Sequence, residues 1–182
     1  VGADDHLGGR LAADHLLGLG HRDICVISGP YNTRTGRARL SGFRSALHDA
    51  GLTLPESRLV RTGFGVDEGF EAMGKLLERG QRPTAVFAAN DYNAIGATHA
   101  LTLAGLTVGT DVSLVGYNDI HLDPYLHVPL TSVRTESAEI GRIAANLIAE
   151  RIEGQSPSSV VIPPRLIVRQ STHPVSRLTT RD

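Results

Sequence analysis

The stretch Pro83-Thr84-Ala85-Val86-Phe87-Ala88-Ala89-Asn90-Asp91 decides how this chain folds. Ala85 to Ala88 is a short apolar run with no polar alternation, as expected of a strand buried on both faces. Asn90-Asp91 follows, where a short polar side chain caps free N–H groups, and a helical pattern runs from Asp91 to Ala104. It stops at Gly105, a residue type that accepts the left-handed conformation closing a helix. Together these make one βα unit, and the unit recurs on both sides. Upstream, Asp23 to Ser28 is a β-rich run, followed by Leu40, Phe43 and Leu47 at helical spacing. Arg58 to Thr62 then reads as a strand, followed by Phe70, Met73 and Leu77. Downstream, Ser113 to Gly116 closes the series. Helical patterns also stop at Gly20, Gly51, Gly80 and Gly154. Such alternation predicts an α/β fold with a parallel sheet, helices on both faces and right-handed crossovers.

After Gly116 the pattern changes. Pro124 and Pro129 interrupt the chain, and Leu130 to Arg134 is a strand candidate. Ile140, Ile143, Leu147 and Ile148 mark an amphipathic helix ending at Gly154. Val160 to Ile162 and Leu166 to Val168 are short strands. Pro163-Pro164 between them cannot occupy a central ladder position. From Thr172 onward the tail is polar and expected to fray.

The composition is that of an ordinary globular domain: 182 residues, 41% hydrophobic, 20% charged, net charge −1. No run approaches the ~18 apolar residues of a membrane span. There is no Lys/Arg stripe to neutralise phosphates, so any DNA binding has to come from a segment outside these residues. The chain starts at Val1 and not at Met, so we expect its natural start to be missing, and the lack of a signal peptide says nothing about secretion. The single cysteine, Cys25, lies in the apolar run Ile24-Cys25-Val26-Ile27 and reads as a buried core thiol.

In an open parallel sheet, ligands bind beyond the carboxyl ends of the strands. Those tips carry Gly29-Pro30-Tyr31-Asn32-Thr33-Arg34-Thr35 with Arg37 and Arg39, then Gly63-Phe64-Gly65, Asn90-Asp91-Tyr92 and Tyr117-Asn118-Asp119. A flat aromatic with amides, carboxylates and guanidinium groups suits a polar ring such as a sugar or nucleoside. Loop tips are polar in any case, so it is the convergence of four that points to binding. Catalytic signatures are lacking: no Gly-x-Ser-x-Gly elbow, no Walker loop, no His-Glu-x-x-His pair. No catalytic residue, metal site or cofactor is therefore expected, and an enzyme is not. His6, His15 and His21 read as surface or capping residues. Gly63-Phe64-Gly65 with Gly69 is a poor dinucleotide loop, because no acidic partner ends the next strand at about 20 residues.

Several stretches together resemble LacI/GalR-type transcriptional repressors. They are Leu19-Gly20-His21-Arg22-Asp23-Ile24, Arg39-Leu40-Ser41-Gly42-Phe43, the stretch from Pro83 to Asp91, Asp111 to Asp119, Pro129-Leu130-Thr131-Ser132-Val133-Arg134 and Arg165 to Ser171. They keep the family's order and spacing over almost the whole chain. The resemblance implies a periplasmic-binding-protein-like fold of two Rossmann-like parallel-sheet subdomains joined by three crossings, the N-terminal one incomplete here. On that basis residues 1–22 are expected to be a remnant of the N-terminal subdomain and 23–128 the C-terminal one. Residues 129–158 would return to the N-terminal subdomain, and 159–182 would hold the last strands of the C-terminal one and a polar tail. The first and last long helices would then expose apolar faces.

The resemblance further implies a cytoplasmic protein that binds a small polar effector. It would form a homodimer through the helix at 91–104 and the segment near 119–127, and contact operator DNA through a helix-turn-helix outside these residues. By position it implies ligand contacts from Asp5, Thr33, Thr35, Arg39, Phe64, Asn90, Tyr92 and Asn118. Asp91 is either a further contact or a helix cap. Asn118 departs from the aspartate of many sugar-responsive members, which leaves sugar first and nucleoside or purine second. A periplasmic sugar-binding protein is the alternative on a similar fold.

Overall fold

A computed structural model of the chain describes residues 1–175. The polar tail expected from Thr172 lies, from 176 to 182, outside the described residues. In chain order the elements are β1 (Gly2–Ala3), α1 (Asp5–Gly18), β2 (Ile24–Ser28), α2 (Arg34–Asp49), β3 (Leu59–Arg61), α3 (Val66–Glu78), β4 (Ala85–Ala88), α4 (Asp91–Leu103), β5 (Ser113–Asn118), β6 (Thr131–Arg134), α5 (Ser137–Ile152), β7 (Val161–Ile162) and β8 (Arg165–Ile167). Single turns of 3₁₀ helix occur at Glu56–Arg58 and Asp123–Tyr125.

Six strands form one sheet in the order β3-β2-β4-β5-β6-β8, parallel throughout except for the β6–β8 pair. Every residue of β2 and β4 is buried, which explains why their sequence shows no polar alternation. Successive side chains point to opposite faces. Ile24 and Val26 therefore join Leu16, Phe43, Phe87, Tyr117 and Val133 under α1 and α2. Cys25 and Ile27 join Met73, Leu76, Val86, Leu101 and Leu114 under α3 and α4. Cys25 is 1% exposed, and burial pushes its thiol up to about 11. The helix pairs cross at glycines. A Cβ at Gly42 would stand 1.8 Å from the His6 carbonyl oxygen, and one at Gly96 would stand 1.9 Å from that of Val66.

Three expectations of placement differ from what is seen. α1 does not stand apart as a remnant of another subdomain: Ala12, Ala13 and Leu16 are fully buried in the core shared with α2. An amphipathic stripe shows that a helix covers something, but not which sheet. β6 completes the main sheet beside β5 and does not leave it, while β7 leaves it to pair with β1 in a separate two-stranded parallel sheet. The second long helix, α5, does stand free: none of its residues is buried, and Ile148 and Ile152 are 61% and 81% exposed. The β1–β7 sheet and α5 join the main body through three short spans: Asp4, Thr135-Glu136 and Pro163-Pro164.

His6 is exposed, as its sequence reading has it, whereas His15 and His21 differ from a surface reading. His21 is fully buried; its Nδ1 lies 3.0 Å from Thr84 Oγ1 and its Nε2 lies 2.9 Å from the His173 carbonyl oxygen. His15 Nε2 lies 2.9 Å from Thr172 Oγ1. The two rings thus fasten residues 172–173 to the body. Burial, first of all, lowers both pKa values; each feels a nearby positive charge as well, His15 from His21 and His21 from Arg22.

Candidate functional site

The parallel sheet sends the turns after β2, β3, β4 and β5 to one edge, and three of the expected ligand residues meet there, Asp5 and Asn118 around Arg39. Arg39 lies on the second turn of α2, and its side chain is 9% exposed. Its Nε donates to Asp5 Oδ1 at 2.9 Å, Nη1 to the Ala89 carbonyl at 2.6 Å, and Nη2 to Asn118 Oδ1 over a longer 3.4 Å. The guanidinium carbon stands 3.6 Å from the centroid of the buried Tyr117 ring. A charge taken out of water needs such partners, and here they come from α1, the end of β4 and the end of β5. A guanidinium has five N–H donors. Three are engaged, so two remain, one on each terminal nitrogen, for a further acceptor.

Phe64 is half-buried, and its ring lies against Gly29, where a Cβ would approach it to 2.5 Å. The loop carrying it is tied to α4. Asn90 Nδ2 donates to the Phe64 carbonyl at 2.8 Å, and Asn93 Nδ2 donates to the carbonyls of Gly63 (3.1 Å) and Gly65 (2.8 Å). Asn90 also caps α4, its Oδ1 accepting from Asn93 N. Both ends of its amide are thus occupied, which suits a residue that shapes the wall. Thr33 is likewise engaged: its Oγ1 accepts from Gly36 N at the start of α2 and donates to the Pro30 carbonyl. Thr35 lines, with Arg34 and Asp5, a cavity of about 410 Å³ that is also lined by Gly2, Ala3 and Val161 of the β1–β7 sheet and by Val160. Tyr92 is exposed, and no described hydrogen bond holds it to the Arg39 cluster. A larger groove of about 560 Å³ runs along the outer face of α2 past Arg37, Arg44 and Arg61, but includes neither Arg39 nor Asn118.

Asn118 and Asp119 have positive φ, 111° and 57°. Asparagine enters that region more readily than most residues, so the backbone gives Asn118 a role besides its amide chemistry. Asp91 is not the cap of α4. Its fully buried carboxylate accepts from Ser132 Oγ (2.6 Å) and the Ile120 N–H (3.1 Å), joining α4 to the turn after β5. The role of Tyr117 as the platform under Arg39 was not foreseen; an aromatic at a strand tip gives no sign of which side chain lies over it. Asn93 was also missed, because it reads as an unremarkable helix position. Among the described residues, no group of three or more His, Cys, Asp or Glu is placed to hold a metal ion, and no helix is long and apolar enough to cross a membrane.

Comparison with known proteins gives a consistent picture. The family described as "Periplasmic binding protein-like domain" matches residues 13–172. The HTH-type transcriptional repressor PurR of Haemophilus influenzae (strain PittEE) is 42% identical over 175 residues, 92% of this chain and 52% of that protein. A complex of the transcriptional regulator CelR with cellobiose superposes with a TM-score of 0.89 at 37% identity, covering 93% of this chain and 53% of that one. The lac repressor dimer bound to operator and the anti-inducer ONPF superposes at 0.88 with 30% identity, covering 94% of this chain and 52% of that one. The chain thus spans about half the length of the relatives it matches.

Proposed function

This chain belongs to the periplasmic-binding-protein-like family, as a LacI/GalR-type effector-binding core, and from that membership we propose that it senses a small polar ligand for a dimeric, DNA-binding transcriptional repressor. The observation carrying the ligand part is the Arg39 cluster. It is a buried guanidinium held by three elements, with two free donors, over the Tyr117 ring and at the strand ends where such sheets bind ligands. Asp5, Thr35, Arg39, Phe64 and Asn118 are the direct contacts in this reading; Thr33 and Asn90 shape the wall, and Tyr92 tunes the rim. The opposite wall is supplied from the side of the β1–β7 sheet.

A sugar is the first ligand class. Arg39 and Asn118 match ring hydroxyls, and Phe64 covers the apolar face of the ring. A nucleobase or nucleoside is the second, favoured by the amide of Asn118, which offers a donor as well as an acceptor where a carboxylate offers acceptors only. Dimerisation is placed on α4 and the segment after β5, where Tyr92, Leu103, Leu122 and Tyr125 are exposed. Operator DNA is contacted by a helix-turn-helix elsewhere in the polypeptide, and the cytoplasm is where that DNA lies. A transport-associated sugar-binding protein on the same fold is the reading disfavoured by the repressor relatives. The test is calorimetry of the intact protein against a panel of mono- and disaccharides and of purine bases and nucleosides. Saturable binding of one class, weakened by Arg39→Ala, supports the reading. A protein that binds neither class refutes it.

A further inference from the structure

Two carboxyl groups face each other inside the protein with nothing to neutralise both. Asp91 begins α4, and Asp123 begins the short 3₁₀ turn in the segment between β5 and β6. Both residues are 0% exposed. The room for Asp91 comes from Gly116 of β5, where a Cβ would stand 2.2 Å from its Oδ1. Asp91 receives hydrogen bonds from Ser132 and the Ile120 N–H. Neither oxygen of Asp123 receives any hydrogen bond, and Asp91 lies within hydrogen-bonding reach of it. Two ionised carboxylates in that contact are two acceptors without a donor, in a place that water does not reach.

The surrounding charges make the same point. From the end of β5 comes Asp119, whose side chain is 3% exposed. From β6 comes Arg134, and from the segment after β8 comes Arg169; both pair with Asp119. Arg169 also donates to the Leu130 carbonyl. His121 and His127 of the same segment are exposed to water. The enclosed cluster therefore holds three aspartates and two arginines: net charge −1 if all are ionised, zero if one proton is retained. Like charges in close contact do not both ionise in a buried site.

We propose that Asp91 and Asp123 share one proton, and that this proton is a latch holding the segment 119–128 against α4. Burial first, and the charge of Asp91 second, raise the pKa of Asp123 well above the carboxylate range; burial likewise raises that of Asp91. A raised folded-state pKa means that stability is full in acid and is lost as pH climbs through the folded value. The segment carries Leu122 and Tyr125, 43% and 84% exposed, on the surface assigned above to the dimer. If that reading holds, the latch makes dimerisation weaken under alkaline conditions.

The test compares the intact wild-type protein with Asp123→Asn, whose amide donates to Asp91 permanently. Thermal stability is followed from about pH 6 to about pH 9. Wild type should lose stability as pH rises through this window, while Asp123→Asn should show no such loss. Matching profiles overturn the latch. Should the variant fail to fold, infrared spectra of wild type near neutral pH decide the matter: a protonated-carboxyl stretch supports the shared proton, and its absence overturns it. Sedimentation on the same samples addresses the coupling. A dimer that weakens with pH in wild type but not in Asp123→Asn supports it, and equal pH dependence in both overturns it. A protein monomeric at every pH overturns the dimer reading instead, which is distinguishable because the infrared and stability readouts do not depend on association.

Discussion

Replacing Arg39 by alanine tests the centre of the site and a mechanical role at the same time. The substitution removes a charge-assisted bond to Asp5, whose side chain is 18% exposed, and a 2.6 Å bond to the Ala89 carbonyl. Hydrogen bonds to charged groups contribute about 1.5–3 kcal/mol each. Breaking a fully buried pair costs about 3–5 kcal/mol, because it strands the remaining charge. Asp5 keeps some contact with water, and water can enter the space left by the side chain, so the expected loss is about 3 kcal/mol. With a urea slope of about 2 kcal/mol/M, the unfolding midpoint should fall by about 1.5 M. Arg39→Ala therefore weakens ligand binding and also destabilises the free protein. The partner substitution Asp5→Asn completes a double-mutant cycle, in which the combined variant should cost less than the sum of the two. A midpoint for Arg39→Ala within about 0.3 M of wild type, with additive effects in the cycle, would refute the view that this guanidinium ties α1, β4 and β5 together.

Other substitutions probe separate parts of the molecule. Phe64→Ala should weaken ligand affinity by about tenfold, the contribution of one stacked ring, with little change in the urea midpoint; unchanged affinity in calorimetry would move the site elsewhere. Gly96→Ala should cost about 1–3 kcal/mol despite the better helix propensity of alanine, because its Cβ would collide with the Val66 carbonyl. Gly74→Ala on the neighbouring α3, where a Cβ meets nothing within 4 Å, should gain up to about 1 kcal/mol; chemical denaturation of the two separates crowding from propensity. His15 and His21 have folded pKa values below the ordinary 6.5. The unfolded chain thus takes up protons first, so the contribution of these two rings is full above about 6.5 and falls as pH drops below it. His21→Gln should flatten that acid slope in thermal melts, and a slope identical to wild type would exclude the ring as its source.

The alternating βα series was readable because each step leaves a local mark: an unbroken apolar run, a helical period, a closing glycine. All five helix-stopping glycines have positive φ, as their positions required. Helix placement was not readable. The stripe Ala12, Ala13, Leu16 of α1 fits any apolar face, and its actual partner, the face of α2 containing Phe43, lies about 30 residues along the chain. For the site, the sequence offered Arg39 and Asn118 at strand tips, and the fold brings to them Asp5, which only the resemblance implied. It could not show that the polar groups of Thr33 and Asn90 are already engaged in capping, because a cap and a ligand contact use the same atoms. Nor could it show that Asp91 and Asp123, each at the edge of a loop, turn inward to meet; that depends on the packing of β6 and on the absence of a side chain at Gly116.

The one cysteine offers a practical return. Cys25 sits in the second strand of the sheet order with its sulfur sealed off, and its elevated pKa keeps it in the unreactive thiol form. A thiol reagent in solution can modify it only when the sheet opens far enough to admit the reagent. The labelling rate is then a stopwatch for that opening, read by mass without any engineered probe. Ligand binding, acid and each substitution above can be timed on it. Any cysteine introduced at the surface would react long before, so local and global motion would be recorded from one sample on separate time scales.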